Sequence, residues 1–500
     1  FMRRTLCLLF ALLLALPLTA GFAAAEEKPV LKVLGFNAAF DPNDDINARE
    51  IEKVTGYKVE YSMLPAENAN EKLNIELASG SSYDIIKLNS TQYFQLVGRG
   101  ALMPLDDLLN EYGQDIKTAV HETSWKASQY DGKTYAVPMR KEYTKDVMNM
   151  IVVRKDLLDA AGIAIPTTLD EFYNALVAVK KAYPDMIPLT GPMSDQGSGA
   201  KEWVLSPTIS SAFGIYTEWQ DVSGELVPML KNEKMKQQLE FMNKLYAEGL
   251  LDADWAVNTG TLVQEKFSSG NAVMAVTDRN IVAVLKGATL ENNPDAVVDY
   301  VLPLIGPNGE QGAKSEDRII YYSCIPKNAK NPVDAMKFMN EKSKWDNFLY
   351  LTLGVEGTHF TRNPDPSVPS GYEWLPIMPI FSDERTNSYW YLNNIDETNY
   401  PDMWKARVRK SAAMWEPFEK VSLACVDISK SDPLGYMPPS EYSSKYSQTL
   451  AKMANDFYLK VITGAQPLDT YEEFVAEWDA AGGTDVGAEV NAWYKDFYGK

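Results

Sequence analysis

Residues 32–63 read KVLGFNAAFDPNDDINAREIEKVTGYKVEYSM, and this stretch decides the fold class of the chain. An apolar strand at 32–36 precedes a helix at 46–55, in which apolar residues recur at helical spacing. Gly56 ends that helix, and a second strand follows at 59–63. The alternation continues with a helix at 69–79 and a strand at 83–88. This order predicts an α/β fold in which helices cover both faces of a parallel sheet.

A second α/β unit is predicted beyond residue 147. Before it, the stretch YDGKTYAVP (130–138) places Asp-Gly between strand-forming residues, which predicts a β-hairpin. A strand at 148–153 then begins the second unit, and Thr167 or Thr168 caps a helix that follows it. A strand at 318–326 is the predicted return to the first unit. The chain therefore crosses between the two units at least twice.

The charge of the chain excludes two classes of partner. The formal net charge is −20, with hydrophobic residues at 45% and charged residues at 23%. The composition is that of a folded protein. Strong acidity argues against nucleic acids and anionic lipid surfaces, because both repel a negative surface.

Residues 2–25 resemble a cleavable export signal. Arg3 and Arg4 precede a short apolar run at 6–18, and Ala23–Ala25 supply small residues for cleavage. We therefore expect an exported protein, extracellular or periplasmic. Cys7 precedes most of the apolar run, so we expect retention at the cell envelope through partners rather than a lipid anchor.

Two cysteines lie beyond this segment, Cys324 and Cys425. An oxidising location would permit a bridge between them, and spacing alone does not decide this. Two buried free thiols are the favoured interpretation.

Seven stretches, in family order, resemble the extracellular solute-binding proteins of ABC importers, in the sugar and oligosaccharide branch that includes many lipoproteins. They are LASGSSYDII (77–86), GRGALMPLDDLL (98–109), DGKTYAVP (131–138), NMIVVRKDLLDAAGIAIPTTLDEF (149–172), FSSGNAVMAV (267–276), GVEGTHF (354–360) and ITGAQPLDTYEEFVAEWDAAGG (462–483). The resemblance implies a two-lobed periplasmic-binding-protein fold with a ligand cleft between lobes that crossing strands join. We assign 26–147 plus 325–373 to the N-terminal lobe and 148–324 plus 374–500 to the C-terminal lobe, after a signal peptide at 1–25.

The same resemblance implies a function. A monomer captures a carbohydrate, closes on it by a hinge movement and delivers it to a membrane permease, without a cofactor. Related sequences often carry a calcium loop after the first helix of the second lobe. Here 180–189 reads KKAYPDMIPL, which lacks the six to eight oxygen ligands that calcium takes. We therefore expect no bound metal.

Candidate ligand-binding residues follow from two requirements. Sugars need aromatic platforms for their apolar faces and planar polar groups for their hydroxyls, and the chain holds 11 Trp and 27 Tyr. Ligands of open α/β sheets bind at the carboxyl ends of strands. We select residues that lie at predicted strand ends, on a predicted crossing strand, or where the resemblance implies a ligand contact. They are Asn37, Phe40, Asn89, Tyr93, Arg140, Trp203, Phe213, Trp219, Asp278, Arg279, Tyr322, Glu356 and His359. Tyr321 lies on the same crossing strand as Tyr322, so alternate side chains there are able to face the cleft.

Among the polar candidates, Arg140, Asp278 and Arg279 are the strongest. The two arginines raise the hypothesis of an anionic sugar such as a uronide, since guanidinium groups bind carboxylates. The alternative for each arginine is a structural ion pair.

Two other functions stay open. A secreted glycan-active enzyme needs only two carboxylates, which an acidic chain supplies. Against it, His121 and His359 are the only histidines, and no nucleophile, zinc or phosphate-binding motif occurs. A binding protein that feeds a sensor rather than an importer would share the same fold.

Overall fold

The computed structural model describes residues 28–192 and 206–499. The predicted export signal and Trp203 lie outside these residues. The strands that the structure describes are, in chain order, β1 (Leu31–Gly35), β2 (Val59–Met63), β3 (Ile85–Leu88), β4 (Gln129–Tyr130), β5 (Lys133–Thr134), β6 (Ala136–Arg140), β7 (Asn149–Arg154), β8 (Ile187–Thr190), β9 (Trp219–Val222), β10 (Glu225–Pro228), β11 (Ala272–Asp278), β12 (Val298–Val301), β13 (Ala313–Ser315), β14 (Ile319–Cys324), β15 (Phe360–Pro364), β16 (Tyr372–Pro376) and β17 (Ser429–Ser431).

The helices pack around these sheets. They are α1 (Ile46–Thr55), α2 (Ala69–Ala78), α3 (Ser90–Gly98), α4 (Asp106–Tyr112), α5 (Gln114–Ala119), α6 (Glu122–Ala127), α7 (Lys155–Ala160), α8 (Leu169–Ala182), α9 (Pro207–Ser210), α10 (Met235–Ala247), α11 (Gly260–Ser268), α12 (Arg279–Asn292), α13 (Pro332–Ser343), α14 (Trp345–Leu353), α15 (Ile380–Arg385), α16 (Tyr400–Arg409), α17 (Ala412–Pro417), α18 (Glu441–Ile462), α19 (Tyr471–Trp478) and α20 (Thr484–Tyr498).

The first sheet has the strand order β2-β1-β3-β14-β6. Strand β1 pairs in parallel with β2 and β3, whereas β14 pairs antiparallel with β3 and β6. The carboxyl ends of β1, β2, β3 and β6 therefore meet at one edge, together with the amino end of β14. The predicted parallel α/β unit is confirmed.

The second sheet has the strand order β12-β7-β11-β8. Strand β11 pairs in parallel with β8 and antiparallel with β7, and β12 pairs antiparallel with β7. The carboxyl ends of β8 and β11 thus share an edge with the amino end of β7. Residues 141–148 connect β6 to β7, so this connection leaves the carboxyl edge of the first sheet and enters the same edge of the second.

The helix caps explain why helix boundaries could be predicted from the sequence. Helix α1 has the predicted bounds, and the Asp45 carboxylate accepts from the Asn47 backbone N–H at 2.8 Å. Thr168 caps α8, because its hydroxyl accepts from Glu171 N while the Glu171 carboxylate accepts from Thr168 N, both at 3.2 Å. This capping box satisfies backbone donors that the first turn leaves free.

The segment 374–409 packs against the first sheet. Trp374, Phe381 and Met403 share a buried cluster with Met139 of β6, and Trp390 shares a cluster with the core side of β1. In the lobe division predicted from the sequence, this segment belongs to the C-terminal lobe. Its large apolar side chains are buried on the first sheet, whereas the later helices α18 and α19 contribute their apolar faces to the core around the second sheet.

Three further features bear on the earlier expectations. Cys324 and Cys425 are both free and buried, as predicted. Helix α8 passes to β8 within a few residues, at the place where related chains carry a calcium loop. None of the helices in 28–192 and 206–499 combines the length and apolar character that a membrane crossing requires.

Candidate functional site

An aromatic pair stands at the carboxyl edge of the first sheet. Phe36 directly follows β1 and Tyr321 lies on β14, and their rings stack with centroids 4.4 Å apart and planes 2° apart. Trp390 is tilted against Phe36 at 5.9 Å, and its indole N–H donates to the Phe36 carbonyl oxygen at 3.0 Å. The rings of Phe36 and Tyr321 are only partly buried. The edge therefore presents a partly exposed apolar surface, and Trp390 packs against it from the core side.

A buried lysine lies beside this aromatic pair. Lys87, on β3, has its ammonium group 5.2 Å from the Phe36 ring centre and 5.3 Å from that of Tyr321. It donates to the Trp390 carbonyl oxygen at 2.9 Å. Burial lowers its pKa to about 7, because a charged ammonium loses its hydration there. Lys342 is similarly buried and donates to the next carbonyl, that of Tyr391, at 2.8 Å.

Arg140 sits at the end of β6 in a network of acids. Its Nε and Nη2 each donate to one oxygen of Asp317, both at 2.7 Å. The Tyr436 hydroxyl donates to the same carboxylate at 2.6 Å. Glu397 approaches Arg140 Nη1 at 3.4 Å, and burial raises the pKa of this glutamate to about 7. The guanidinium is thus committed to protein carboxylates.

Arg279 forms a comparable pair at the edge of the second sheet. Its Nη2 lies 2.6 Å from Asp146 Oδ2, and Asp146 Oδ1 accepts from the Ser422 hydroxyl at 2.8 Å. Both charged side chains are almost fully buried. The neighbouring Asp278 accepts from the Asn280 backbone N–H at 2.8 Å and caps α12.

The two edges come together at the connection 141–148. The Lys141 N–H donates to the Arg318 carbonyl oxygen at 2.9 Å, and the Arg279 N–H donates to the Met148 carbonyl oxygen at 2.7 Å. A cavity of about 30 Å³ lies at this connection, lined by Asp146, Met148, Asn149, Pro207, Lys314 and Glu316. Within the described ranges, no group of three or more His, Cys, Asp or Glu side chains is arranged to hold a metal ion.

The family model for bacterial extracellular solute-binding proteins matches residues 36–341, more than half of the chain. The chain belongs to this family.

Relatives and solved structures agree with this membership. A protein of Niallia circulans, described only by its position beside another gene, is 34% identical over 52% of this chain and 98% of its own length. The polygalacturonan/rhamnogalacturonan-binding protein YtcQ of Bacillus subtilis is 21% identical over 95% of this chain and 93% of its own. The structure of an extracellular solute-binding protein from Bifidobacterium longum subsp. infantis covers 95% of this chain and 99% of that one, with a TM-score of 0.70 at 18% identity. FusA of Streptococcus pneumoniae, solved with kestose, covers 94% and 100%, with a TM-score of 0.66 at 18% identity. The predicted two-lobed fold is confirmed.

Some candidates of this solute-binding protein lie at the first edge. Asn37 is exposed directly after Phe36. Phe40 is half-buried, with its ring 6.0 Å from that of Trp390. Asn89 is exposed but has a structural role, because its side chain and that of Gln92 form the capping box of α3. Asn37 and Phe40 are therefore the members of this group that are at least partly exposed and have no capping role.

Four aromatic candidates lie in cores instead. Tyr93 and Tyr322 stack with centroids 4.3 Å apart, and they are 0% and 2% exposed. Phe213 and Trp219 are buried in the core around the second sheet. The structure thus places these four rings among apolar side chains and not at the carboxyl edges.

The loop candidates contact other polar groups of the protein. Glu356 is exposed and pairs with Arg362 at 3.1 Å. His359 is buried, accepts from the Val355 N–H at 2.9 Å and lies 2.9 Å from the Glu384 carboxylate. The imidazole therefore links the loop at 354–360 to helix α15.

Three residues of the edge were absent from the sequence candidates, namely Phe36, Lys87 and Trp390. Phe36 had a signal, since it is the last residue of the strand predicted at 32–36. Lys87 lies inside a predicted strand, where its buried position has no signature in the sequence. Trp390 reaches the edge only through the tertiary fold.

Proposed function

We propose that the chain captures a carbohydrate between its two lobes and delivers it to the permease of an ABC importer. The observation that carries this proposal is the partly open Phe36–Tyr321 stack at the carboxyl edge of the first sheet. Aromatic faces pack against the apolar C–H faces of sugars, and ligands of α/β folds bind at such edges. Relatives of the chain support this ligand class, since they include a fructooligosaccharide ABC transporter substrate-binding protein and a polygalacturonan/rhamnogalacturonan-binding protein.

The lobes that enclose the ligand divide the chain differently from the sequence assignment. The first lobe comprises 28–140 and 319–409, and the second comprises 149–192, 206–312 and most of 412–492. The packing of 374–409 on the first sheet supports this division. The connections 141–148 and 313–318 then serve as the hinge. Ligand contacts from both lobes favour a closed form, because only that form makes both sets of contacts.

Of the candidates from the sequence, Asn37, Phe40 and Asp278 are proposed to contact the ligand together with Phe36 and Tyr321, which the buried Trp390 supports from the core side. Asn37 lies just beyond β1 and Asp278 is the last residue of β11, on the other sheet, so closure of the lobes would bring their polar groups to the same ligand. We further propose that the chain binds as a monomer without turnover.

Calorimetry against a panel of oligosaccharides tests the function. A ligand of the native state also raises the thermal unfolding midpoint, which identifies it in a first screen. Tyr321→Ala should weaken binding by about tenfold or more, since one stacking face is lost. Tyr442→Ala, at an exposed position of α18, is the matched control and should bind like the parent. An absence of binding across the panel, or release of new reducing ends from a bound sugar, would contradict the proposal.

Export is proposed on the apolar run at 6–18 and the small residues at 23–25. Another relative, from Bacillus subtilis, is described as a lipoprotein. We place retention at the envelope with partners, because Cys7 precedes most of the apolar run. Incorporation of labelled palmitate into the expressed protein would overturn this part of the proposal.

A further inference from the structure

We infer that the site selects neutral sugars over uronic acids. This inference rests on the proposed carbohydrate-binding function and names the substrate class of the same site. It separates the chain from its full-length relative YtcQ, which is described as binding polygalacturonan and rhamnogalacturonan. The charges at the two carboxyl edges carry the inference.

The first arginine is not available to a ligand carboxylate. Arg140 spends its bidentate fork on Asp317, with both N···O distances at 2.7 Å. Only 19% of its side chain is exposed, and Glu397 occupies its remaining side at 3.4 Å. Such a pair is the arrangement that a uronate would need for itself. A uronate would therefore have to displace an acid that the fold already holds in place.

The second arginine is paired through one nitrogen, and its Nε has no hydrogen-bond partner but is fully buried. Arg279 is 5% exposed at its side chain and pairs with Asp146, which is 1% exposed. The Ser422 hydroxyl donates to the other oxygen of Asp146. Separating a buried pair leaves an uncompensated charge, so an incoming carboxylate gains little by competing for this one.

Three further basic groups near these pairs also have partners. Lys87 is 5% exposed and donates to a backbone carbonyl oxygen behind the aromatic stack. Arg318 lies 3.5 Å from Glu316, and Lys141 lies 3.9 Å from the same carboxylate. Each of these three groups therefore already has an acceptor or an acid beside it.

The second edge instead presents negative charge. Asp278 is the last residue of β11 and is only partly buried, and its pKa is raised by burial and by the carboxylates of Glu316 and Asp146. A uronate would meet like charge at this edge. A sugar hydroxyl, by contrast, donates a hydrogen bond to a carboxylate. The charge of −20 over the whole chain acts in the same direction at longer range.

Calorimetry with matched ligand pairs tests this selectivity. Each pair holds a neutral oligosaccharide and its uronate of equal length and linkage, in the galacto, gluco and manno series, at low and high salt. The neutral member of the binding pair should bind at least about tenfold more tightly, because like-charge contacts are costly at an interface. Added salt should narrow the difference.

A variant identifies the responsible residue. Asp278→Asn should weaken the neutral ligand less than tenfold and reduce the preference severalfold. Asp456→Asn removes the same charge from an exposed position of α18 and should leave the preference unchanged. A uronate that binds more tightly than its neutral partner overturns the inference while upholding carbohydrate binding. Failure of every pair to bind would overturn the proposed function and this inference with it.

Discussion

Arg140 and Asp317 form a bidentate ion pair that joins the end of β6 to the residues just before β14. These two positions flank the two connections between the sheets. The pair therefore fixes the geometry of both connections at their origin in the first sheet. Tyr436 adds a third segment, because its hydroxyl donates to the same carboxylate. The pair and Tyr436 thus tie three segments of the chain together where the connections begin.

Asp317→Asn should destabilise the protein. The substitution removes the charge that balances a largely buried guanidinium, and we expect the free energy of unfolding to fall by about 1–3 kcal/mol. Urea unfolding followed by circular dichroism measures the change. Lys452→Ala breaks an exposed ion pair with Asp456 and should change stability by less than about 0.5 kcal/mol. Equal losses of unfolding free energy in the two variants would show that burial of the Arg140–Asp317 pair does not increase its contribution to stability.

Tyr93→Phe should separate a core role from a ligand role. The Tyr93 hydroxyl donates to the Ser128 carbonyl oxygen at 2.5 Å, and the residue is 0% exposed. Losing this bond should lower the free energy of unfolding by about 1 kcal/mol while leaving sugar affinity unchanged. Tyr321→Ala should instead lower the sugar affinity more than it lowers the free energy of unfolding. A loss of affinity in Tyr93→Phe without loss of stability would restore Tyr93 as a ligand-binding residue.

The tyrosine pair shows where sequence reasoning reached its limit. Adjacent side chains of a strand point to opposite faces, so a crossing strand offers the cleft one of Tyr321 and Tyr322 but not both. Nothing in RIIYYSCIP fixes which one, because a shift of one residue reverses every side chain. The structure stacks Tyr322 on Tyr93 in the core and Tyr321 on Phe36 at the edge.

Local signals predicted the fold better than the site. Helix α1 has the predicted bounds, since its cap, its terminal glycine and its apolar spacing all lie within a short stretch of sequence. The site depends on contacts that no local pattern encodes. Trp390 hydrogen-bonds the carbonyl of Phe36 from 354 positions away in the chain. Likewise, the sequence made Arg140 and Arg279 candidates for binding a ligand carboxylate, and only the tertiary fold shows that Asp317 and Asp146 pair with them.

Glu397 should make the protein less stable as the pH rises from about 4.5 to 7. Burial raises its folded-state pKa from 4.5 to about 7, and its Oε1 has no hydrogen-bond partner. Between these values the folded state holds a proton that the unfolded state has released, so stability falls by at most about 1.4 kcal/mol per pH unit. Glu397→Gln should flatten this part of the profile. Urea midpoints across the range would contradict the assignment if the variant and the parent fell in parallel.

Lys87 should act in the opposite direction at higher pH. Burial lowers its folded-state pKa from 10.5 to about 7, so between these values the unfolded state binds a proton that the folded state lacks. Stability should therefore rise with pH over this window, by at most about 1.4 kcal/mol per pH unit from this group. Lys87→Met removes the titrating group and should reduce the rise, and Lys342→Met should do the same because its pKa is lowered by burial as well. Lys452→Met, at an exposed position, is the control and should follow the parent. If the Lys87→Met and control profiles coincide, then Lys87 stays charged when buried, and the ammonium beside the Phe36–Tyr321 stack becomes a cation able to attract an acidic sugar.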